Sequence, residues 1–437
     1  MTRVIAVSDS DSYLKWSVAT LRAMPATWSA TQLVIKNPVL PSAEQAQAAA
    51  GAPVPVLGHS ALLRTLRRER PDVVLLAASG PVVAALTAAP ALRAADRPVL
   101  VSGLPGISVP ATPRAITLRA GCDVFLLHSH REVAEFTALA AELGVPHRFG
   151  LATLPFLPPG PPAAGRRPAD GPLVFAAQAK VPVRREDREQ VLLALAGTGS
   201  AVVKLRATST EWQTHHEPWP YPQLYAGLVR AGRLEANALH FAAGSMTDAL
   251  AGARGLVTVS STAALEAMAV GLPVLALSDF GVSEEMINTV FSGSGCLGTL
   301  ADLAAGRLTT ADPAWTAANY FHPPAENTWL NQISDRLAAR AAGALLPLPA
   351  VSGSRWTQAR RRLRLAVPPA LWSQIQPWRS RMQPAMARGL RAPGRTARVR
   401  PPNHRAGSAP AAPLAGPPDG HWPPPPANPP PASDQGR

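Results

Sequence analysis

The sequence predicts an α/β protein built from two doubly wound, Rossmann-like parallel sheets. Short apolar runs rich in Val, Ile and Leu alternate with longer helix-forming stretches, which is the pattern of βαβ units. The alternation occurs in two series, and a stretch rich in Pro and Gly separates them. We therefore expect two domains that face a cleft at the carboxyl ends of their strands, where ligands bind in such folds.

The first series begins at the N-terminus, where the apolar run is too short for a signal peptide and predicts a strand. The apolar stretch over 73–92 imitates a membrane span, but Pro81 and Pro90 break it, so we expect a strand, a loop and a helix. The predicted strands are 3–8, 32–35, 54–57, 72–77, 97–102 and 123–128, and the predicted helices are 13–24, 60–70, 82–92 and 131–143.

The second series repeats the same alternation after the Pro-rich stretch. Its predicted strands are 173–177, 201–205, 239–242, 256–259 and 274–277, and its predicted helices are 184–196, 221–231, 247–253 and 263–270. Final helices over 314–342 are expected to pack back across one of the halves. The predicted organisation is a first domain over 1–153, a linker over 154–172, a second domain over 173–345 and a tail over 346–437.

The positive charge of the chain belongs to its tail. The formal net charge is +14, and residues 351–437 supply +12 of it with fourteen Arg, no Lys and two Asp. The folded part is therefore nearly neutral. Residues 401–437 contain thirteen Pro, so we expect this stretch to be disordered. Cys122 and Cys296 lie far apart without metal-ligand spacing, which predicts two buried thiols and a reducing compartment.

One strand, turn and helix unit in the second series has the form of a phosphate site. The run over 256–259 is followed by Ser260, Ser261 and Thr262, and then by a helix that Gly271 and Pro273 end. Such a turn leaves backbone N–H groups at a helix start unpaired, with the positive end of the helix dipole behind them. We expect these groups to bind a phosphate.

The chain resembles the GT-B class of glycosyltransferases, and within it the bacterial capsule and surface-polysaccharide transferases and an actinobacterial set of glycosyltransferases. The resemblance is carried by a strand that ends in Lys204 and Arg206, the hydroxyl-rich turn, the Leu265–Ala267 helix segment and the closing Gly271-Leu-Pro273. Many relatives have His-Pro where this chain has Arg206 and Ala207. The resemblance implies a nucleotide-sugar donor bound by the second domain and an acceptor bound by the first.

The predicted donor site collects cations, hydroxyl groups and one acid at the carboxyl ends of the second sheet. Lysine and arginine neutralise phosphate charge, and a lone acid on an otherwise buried helix needs a partner such as a ribose or sugar hydroxyl. Helix capping and structural ion pairing are the alternative roles for these side chains. The predicted donor-binding residues are Gln178, Lys180, Lys204, Arg206, Ser260, Ser261, Thr262 and Glu266.

The predicted acceptor side lies in the loops of the first domain. An inverting transfer needs a base for the acceptor hydroxyl proton, and Asp9, Asp11 and His128 follow strands at the cleft edge. Capping of the following helix is the alternative role for the two aspartates, and entry into a helix is the alternative role for His128. Gly103 and Gly106 permit close approach of the backbone to a ligand. An ordinary turn is the alternative role for the two glycines, and the acceptor-side role depends on Arg114 or Arg119 projecting into the same space.

No metal or cofactor is predicted. His215 and His216 lack a companion at metal-ligand spacing apart from Glu217. The Asp9-Ser-Asp11 triplet follows the first strand and is interpreted as part of the loop there rather than as a metal-binding motif. We therefore expect metal-independent transfer, in which the nucleotide sugar is a substrate.

Three interpretations of the Arg- and Trp-rich stretch over 351–400 are open. It could bind an anionic membrane surface, with an apolar side that includes Trp356 and Leu365. It could bind nucleic acid by charge alone, although no base-reading motif is evident. It could instead be a solvated tail.

The function predicted from the sequence is transfer of a hexosyl or acidic sugar, from a nucleotide donor to a saccharide or lipid-linked acceptor, in surface polysaccharide synthesis. The expected location is the cytoplasm, including peripheral attachment to the inner face of the plasma membrane. Two alternatives remain: a sugar-nucleotide 2-epimerase of the same fold, and a non-catalytic membrane-associated scaffold.

Overall fold

The computed structural model describes residues 1–37, 40–158, 160, 162–163, 170–205, 217–349, 357 and 365. Arg206, the His215-His216 pair and nearly all of the basic tail, which carry several of the predictions above, lie outside these residues. Within the described residues no helix is long and apolar enough to cross a membrane. Both sheets belong to one compact unit.

The first half contains a sheet of seven parallel strands flanked by helices. Its strands are β1 (Arg3–Ser8), β2 (Ser29–Ile35), β3 (Val56–Leu57), β4 (Val73–Ala77), β5 (Val99–Gly103), β6 (Val124–Leu127) and β7 (Phe149–Leu151). Its helices are α1 (Asp11–Arg22), α2 (Ala43–Ala50), α3 (His59–Glu69), α4 (Gly80–Thr87), α5 (Pro113–Arg119) and α6 (His130–Glu142). The strand order is β3-β2-β1-β4-β5-β6-β7. All residues of β4, β5 and β6 are buried, as expected for parallel strands with helices on both faces.

The second half repeats this plan with six parallel strands. They are β8 (Leu173–Ala176), β9 (Ala201–Lys204), β10 (His240–Ala242), β11 (Gly255–Thr258), β12 (Val274–Leu277) and β13 (Leu297–Gly298), in the order β10-β9-β8-β11-β12-β13. The helices after β8 are α7 (Arg185–Ala196), α8 (Tyr221–Arg230), α9 (Met246–Ala251), α10 (Ala263–Ala269), α11 (Leu300–Ala304), α12 (Pro313–Ala318) and α13 (Trp329–Ala341). The predicted class of two doubly wound parallel sheets is confirmed.

In each sheet the strand order reverses direction at one point, between β1 and β4 in the first and between β8 and β11 in the second. The chain leaves adjacent strands on opposite sides there, which opens a crevice at their carboxyl ends. Asp9 and Ser79 follow the two strands at this point of the first sheet. The hydroxyl-rich turn Ser260–Thr262 follows β11 at the corresponding point of the second.

Several short elements differ from the prediction. Helix α2 was not predicted, although Ser42 and Gln45 form a capping box at its start. Helix α5 was also not predicted, and it begins with a Thr112 cap and Pro113. The predicted helix over 82–92 ends at Thr87, because a proline at position 90 starts a separate 3₁₀ turn. Strands β7 and β13 were missed because runs of two or three residues carry no periodicity.

The chain returns to the first half after completing the second. Trp329 and Ile333 of α13 are buried in one apolar cluster with Trp16 of α1 and with strands of the first sheet. Gly150 permits this packing, since a Cβ at that position would lie 2.9 Å from Trp329 Cα. The expectation that the final helices pack back therefore describes α13, whereas Trp315 of α12 belongs to the core of the second half.

The apolar core of the first half continues into residues that the sequence assigned to the tail. Leu348 and Leu365 are buried with Leu62 and Leu66 of α3. Arg93 donates to the carbonyl oxygen of Leu348 at 2.8 Å. Leu365 is only 5% exposed, so it is not available as part of the apolar membrane side that one interpretation of the tail requires.

Leu365→Ala is expected to lower the free energy of unfolding by about 2 kcal/mol or more, because a buried Leu loses apolar contacts and leaves a cavity. Leu346→Ala serves as the matched control, since Leu346 is 70% exposed and its loss should change stability by less than about 0.5 kcal/mol. Urea unfolding of the full chain measures both. Equal stabilities of the two variants would show that position 365 does not contribute to the core.

Candidate functional site

The hydroxyl-rich turn is held by an amide from the neighbouring loop. Gln178, which follows β8, donates from Nε2 to the Ser260 carbonyl at 2.7 Å and accepts from the Ser260 N–H at 2.8 Å. The nitrogen and the oxygen of the amide are thus both bonded to the backbone of one residue. Gln178, predicted as a donor ligand, fixes the turn in this conformation.

Inside the turn, most polar groups bond to the protein itself. The Ser260 hydroxyl donates to the Ile287 carbonyl, the Ser261 N–H donates to Thr258 Oγ1 at 3.1 Å, and the Ala263 N–H donates to Ser261 Oγ at 3.2 Å. Among the described residues, the Thr262 N–H has no partner, and the Thr262 side chain does not cap α10. The expectation that several N–H groups of the turn would be unpaired is therefore wrong for this conformation. Thr262 is the one residue of the turn whose N–H is unpaired, as the expectation requires, among the described residues.

Lys204 and Glu266 are close enough to influence each other's charge. Lys204 ends β9, is 4% exposed and donates from Nζ to the carbonyl oxygens of Leu205 and Gly244 at 3.0 and 2.7 Å. Burial lowers the pKa of Lys204, and the Glu266 carboxylate opposes this. Burial raises the pKa of half-buried Glu266, and Lys204 opposes that. The two predicted donor-site charges are therefore neighbours, while Lys180 is an exposed residue of the loop after β8.

The pair of hydrogen bonds that Gln178 makes to Ser260 is here called a clamp, and the first half contains a second clamp at the point where its strand order reverses. Asp9 follows β1, and its Oδ2 accepts from the Ser79 N–H at 2.9 Å and from the Ser79 hydroxyl at 2.5 Å. Asp9 is 1% exposed, and burial raises the pKa of its carboxyl against the Ser79 bonds and the smaller effects of the Ser10 hydroxyl and the Arg119 charge. Its Oδ1 is buried and has no hydrogen-bond partner among the described residues. Asp11 begins α1 and pairs with Lys15 at 2.8 Å.

His128 is enclosed rather than open to a cleft. It is 1% exposed, and its Nε2 accepts from the Trp16 indole N–H at 2.8 Å. The proton therefore sits on Nδ1, which donates to the Ala152 carbonyl at 2.9 Å. Burial lowers the pKa of His128 to about 4. The ring is thus neutral and engaged at both nitrogens here, and a role as base stays a prediction.

Of the two predicted acceptor-side arginines, one lies inside the first half. Arg119 is 2% exposed and donates to Tyr13 Oη at 2.7 Å, to the Ala78 carbonyl at 3.1 Å and to Ser102 Oγ at 3.2 Å. This buried guanidinium ties together three segments at the carboxyl edge of the first sheet. Arg114 is exposed at the start of α5. An acceptor-side role of either residue stays a prediction.

The two predicted glycines have different surroundings. A Cβ on Gly103 would lie 2.5 Å from the Trp16 ring, so this glycine makes room for the indole that bonds to His128. A Cβ on Gly106 would lie 3.3 Å from Thr262 Cγ2. Gly106 of the first half therefore faces Thr262 of the second, and the structure brings a predicted acceptor-side residue against the predicted donor turn.

Two buried charged residues at this edge were not predicted. Arg188 of α7 is 1% exposed, donates to the carbonyl oxygens of Gln178 and Ala179 at 3.1 and 2.7 Å, and pairs with Glu217 at 2.5 Å. Arg188 lies in a run of charged residues, a pattern that is typical of a solvated helix face. Glu132 of α6 is fully buried, and Ser129 three residues earlier indicated an ordinary capping acid.

In the described part of the chain, no three His, Cys, Asp or Glu side chains lie together as a metal site would require. A cavity of about 340 Å³ lies near the strand beginnings of the first sheet, lined by residues that include Arg3, Leu33 and Arg68. This cavity is at the opposite edge from the residues above. We place the candidate site at the carboxyl edges, since parallel α/β folds bind ligands there.

Comparison with known proteins gives one family match. A family model described as "Putative glycosyltransferase (DUF6716)" matches residues 4–336. No curated protein matches the chain.

Several solved structures share the architecture at low similarity. The MnaA–UDP co-structure from S. aureus has a TM-score of 0.48 and 9% identity, with 81% of this chain and 100% of that chain covered. A UDP-GlcNAc 2-epimerase from Neisseria meningitidis bound to UDP-GlcNAc has a TM-score of 0.45 and 10% identity, with 82% of this chain and 98% of that chain covered. An O-GlcNAc transferase mutant from Thermobaculum terrenum has a TM-score of 0.39 and 17% identity, with 88% of this chain and 69% of that chain covered. Likeness at this level carries no argument about activity.

Gln178→Leu is expected to destabilise the turn, because it leaves both the N–H and the carbonyl of Ser260 without their partners, at about 1–3 kcal/mol for each buried group. Amide hydrogen exchange at Ser260 and Ser261 should accelerate. Lys180→Ala in the same loop is the control, since its side chain is exposed. Equal exchange rates in the two variants would contradict the clamp.

The stability contribution of Glu132 is expected to decrease as pH rises from about 4.5 to about 7. Burial raises the pKa of Glu132 from 4.5 to about 7, with a smaller contribution from Glu135, against hydrogen bonds from Tyr320, His128 and Ser108. The folded state therefore keeps a proton that the unfolded state loses, and the free energy of unfolding falls over this window.

Glu132→Gln should remove this part of the pH dependence, because the amide does not titrate. Glu142→Gln on the exposed end of the same helix should retain it. Urea unfolding of both variants and the natural chain between pH 4.5 and 7.5 provides the comparison. Parallel pH curves for all three would contradict the assignment.

Proposed function

This chain belongs to the family described as "Putative glycosyltransferase (DUF6716)", and on that premise we propose how its halves divide the transfer of a sugar from a nucleotide-activated donor. The second half binds the donor through the Ser260–Thr262 turn, and the first half presents the acceptor. One observation carries this assignment: Gly106 lies against Thr262, so the loop of one sheet and the turn of the other meet at their carboxyl edges.

The donor phosphate is proposed to lie over Thr262, with its free N–H and hydroxyl as donors. Lys204 supplies positive charge from the end of β9, two strands away from β11 in the sheet, and Glu266 accepts a hydroxyl of the ribose or sugar. Arg206 is proposed to add to this charge. As the bond between the sugar and the phosphate breaks, these groups stabilise the negative charge that develops on the leaving nucleotide. Support comes from the mutual charge influence of Lys204 and Glu266.

The acceptor hydroxyl is proposed to lose its proton to Asp9 as its oxygen bonds to the sugar carbon. Ser79 holds one carboxylate oxygen, which leaves Oδ1 as the atom for the proton. Burial raises the pKa of Asp9, and a carboxylate of higher pKa is a better base near neutral pH. No step of this scheme uses a divalent cation, so transfer in the presence of EDTA measures metal independence.

The acceptor class is proposed to be a saccharide or lipid-linked saccharide of a surface glycan, with a hexosyl or acidic sugar as the transferred group. Attachment of the enzyme to an anionic inner membrane surface is proposed from the tail charge of +12 over 351–437. Sedimentation of the full chain with anionic and neutral vesicles measures that attachment. The residues concerned lie outside the described ranges except 357 and 365.

One nucleotide from a panel that includes UDP and CMP is expected to raise the melting temperature of the natural chain, because a ligand of the folded state stabilises it by mass action. At a concentration one hundred times its Kd this amounts to about 2.7 kcal/mol. The double variant Ser261→Ala with Thr262→Ala and the variant Lys204→Met should lose most of the shift.

Arg114→Ala is the matched control, since it removes an exposed cation from the other half and should leave the nucleotide shift intact. An unchanged shift in the double variant would overturn the donor assignment. A panel without any shift would overturn nucleotide binding itself.

A further inference from the structure

We propose that Glu132 is a positioning residue that sets where the loop over 104–110, here called the acceptor loop, lies against the donor turn. The inference rests on the proposed function, because it treats the contact between Gly106 and Thr262 as the place where transfer occurs. Glu132 touches neither of these residues in the described hydrogen bonds, so its effect passes through the groups that it holds.

Glu132 accepts hydrogen bonds from three separate segments. Its Oε1 accepts from the Ser108 N–H at 2.8 Å and from the Tyr320 hydroxyl at 2.6 Å, and its Oε2 accepts from the His128 N–H at 2.8 Å. Ser108 belongs to the acceptor loop, His128 directly follows β6, and Tyr320 belongs to the segment that leads from the second half to α13. One carboxyl group therefore joins the acceptor loop to both halves.

The acceptor loop is fixed on its other side by the core of the second half. Val109 is buried in one apolar cluster with Leu265 and Met268 of α10, and Ile107 packs against that cluster. Ser108 lies between these two residues and points its N–H at Glu132. The loop thus sits between α10, which starts at the donor turn, and the carboxyl group of Glu132.

Tyr320 provides the link from the second half. Its ring is 1% exposed within the same apolar cluster as α10, and its backbone has φ = 59°, a left-handed conformation that is costly for residues other than Gly. Such a conformation persists where the surroundings determine it. The apolar packing of the ring and the hydrogen bond to Glu132 are the surroundings that the structure shows.

Helix capping does not account for these contacts. Ser129 caps α6 by accepting from the Glu132 N–H at 3.0 Å, but the Glu132 carboxylate bonds to the His128 N–H instead of returning to the Ser129 N–H. A glutamine has an NH2 group, which accepts no hydrogen bond, where Glu132 has its second oxygen. The three donors therefore match a carboxyl group better than an amide.

The position of the acceptor loop can be measured by cross-linking Gly106→Cys to Thr262→Cys in the full chain. The short distance between a Cβ at 106 and Thr262 Cγ2 favours a disulfide between these two positions. Natural Cys122 and Cys296 are buried, and chains with one introduced cysteine control for them. The rate of disulfide formation under a mild oxidant is compared in backgrounds with Tyr320→Phe, Glu132→Gln and the control Glu142→Gln.

Tyr320→Phe and Glu132→Gln are expected to slow cross-linking about fivefold, a change that corresponds to the loss of one modest interaction. Glu142→Gln should leave the rate unchanged. Melting temperatures are recorded for every variant, because a purely structural role would lower the melting temperature without changing the rate. That outcome would overturn the proposal. If Glu132→Gln fails to fold, an unchanged rate in Tyr320→Phe overturns it equally.

The test is independent of the donor assignment. A cross-linking rate that responds to Tyr320 and Glu132 supports the positioning role even in a chain that no nucleotide stabilises. Conversely, a nucleotide shift in the natural chain together with insensitive cross-linking rejects the positioning role and leaves the proposed function standing.

Discussion

The positions of the loop after β4 and of the turn after β11 depend on a hydrogen-bonded clamp at the point where the strand order of each sheet reverses. In the first half Asp9 holds Ser79, and in the second Gln178 holds Ser260. In both cases the side chain after the first strand of a sheet fixes the residue after the fourth. The strands are neighbours, but the chain leaves them on opposite sides, so no backbone ladder joins their loops. The side chains supply that connection.

The two clamps differ in the group that forms them: one is a neutral amide and the other is a carboxyl group that can bind a proton. The amide of Gln178 bonds through its nitrogen and its oxygen to the backbone of one residue and carries no charge. The carboxyl of Asp9 uses one oxygen and leaves the other buried without a partner among the described residues. An unsatisfied buried oxygen is costly, and in a native structure it calls for an explanation such as a catalytic role or a bound water or ion. The same position in the fold thus holds a neutral amide in one half and a titratable carboxyl in the other.

The sequence predicted the sheets well because parallel strands that are buried on both faces appear as continuous apolar runs. It also placed Gln178, Lys204 and the Ser260–Thr262 turn at one edge, since the carboxyl ends of parallel strands meet there. It did not reveal which hydroxyl or N–H groups would be free, because Gln178 and Ile287 come from other loops. Glu132 and Arg188 were missed for the same reason. Their neighbours in sequence indicate solvated helices, and only the folded chain shows that each side chain is buried among backbone groups.

The return of α13 to the first sheet has a consequence for the order in which the protein is made. The first half is interrupted by the whole of the second, because Trp329 and Ile333 complete a core that begins with strand β1. On the ribosome the second half emerges in full while the first still lacks α13, which packs against its sheet. Domains fold as units during synthesis. The half that is translated first is therefore the last to acquire its complete core.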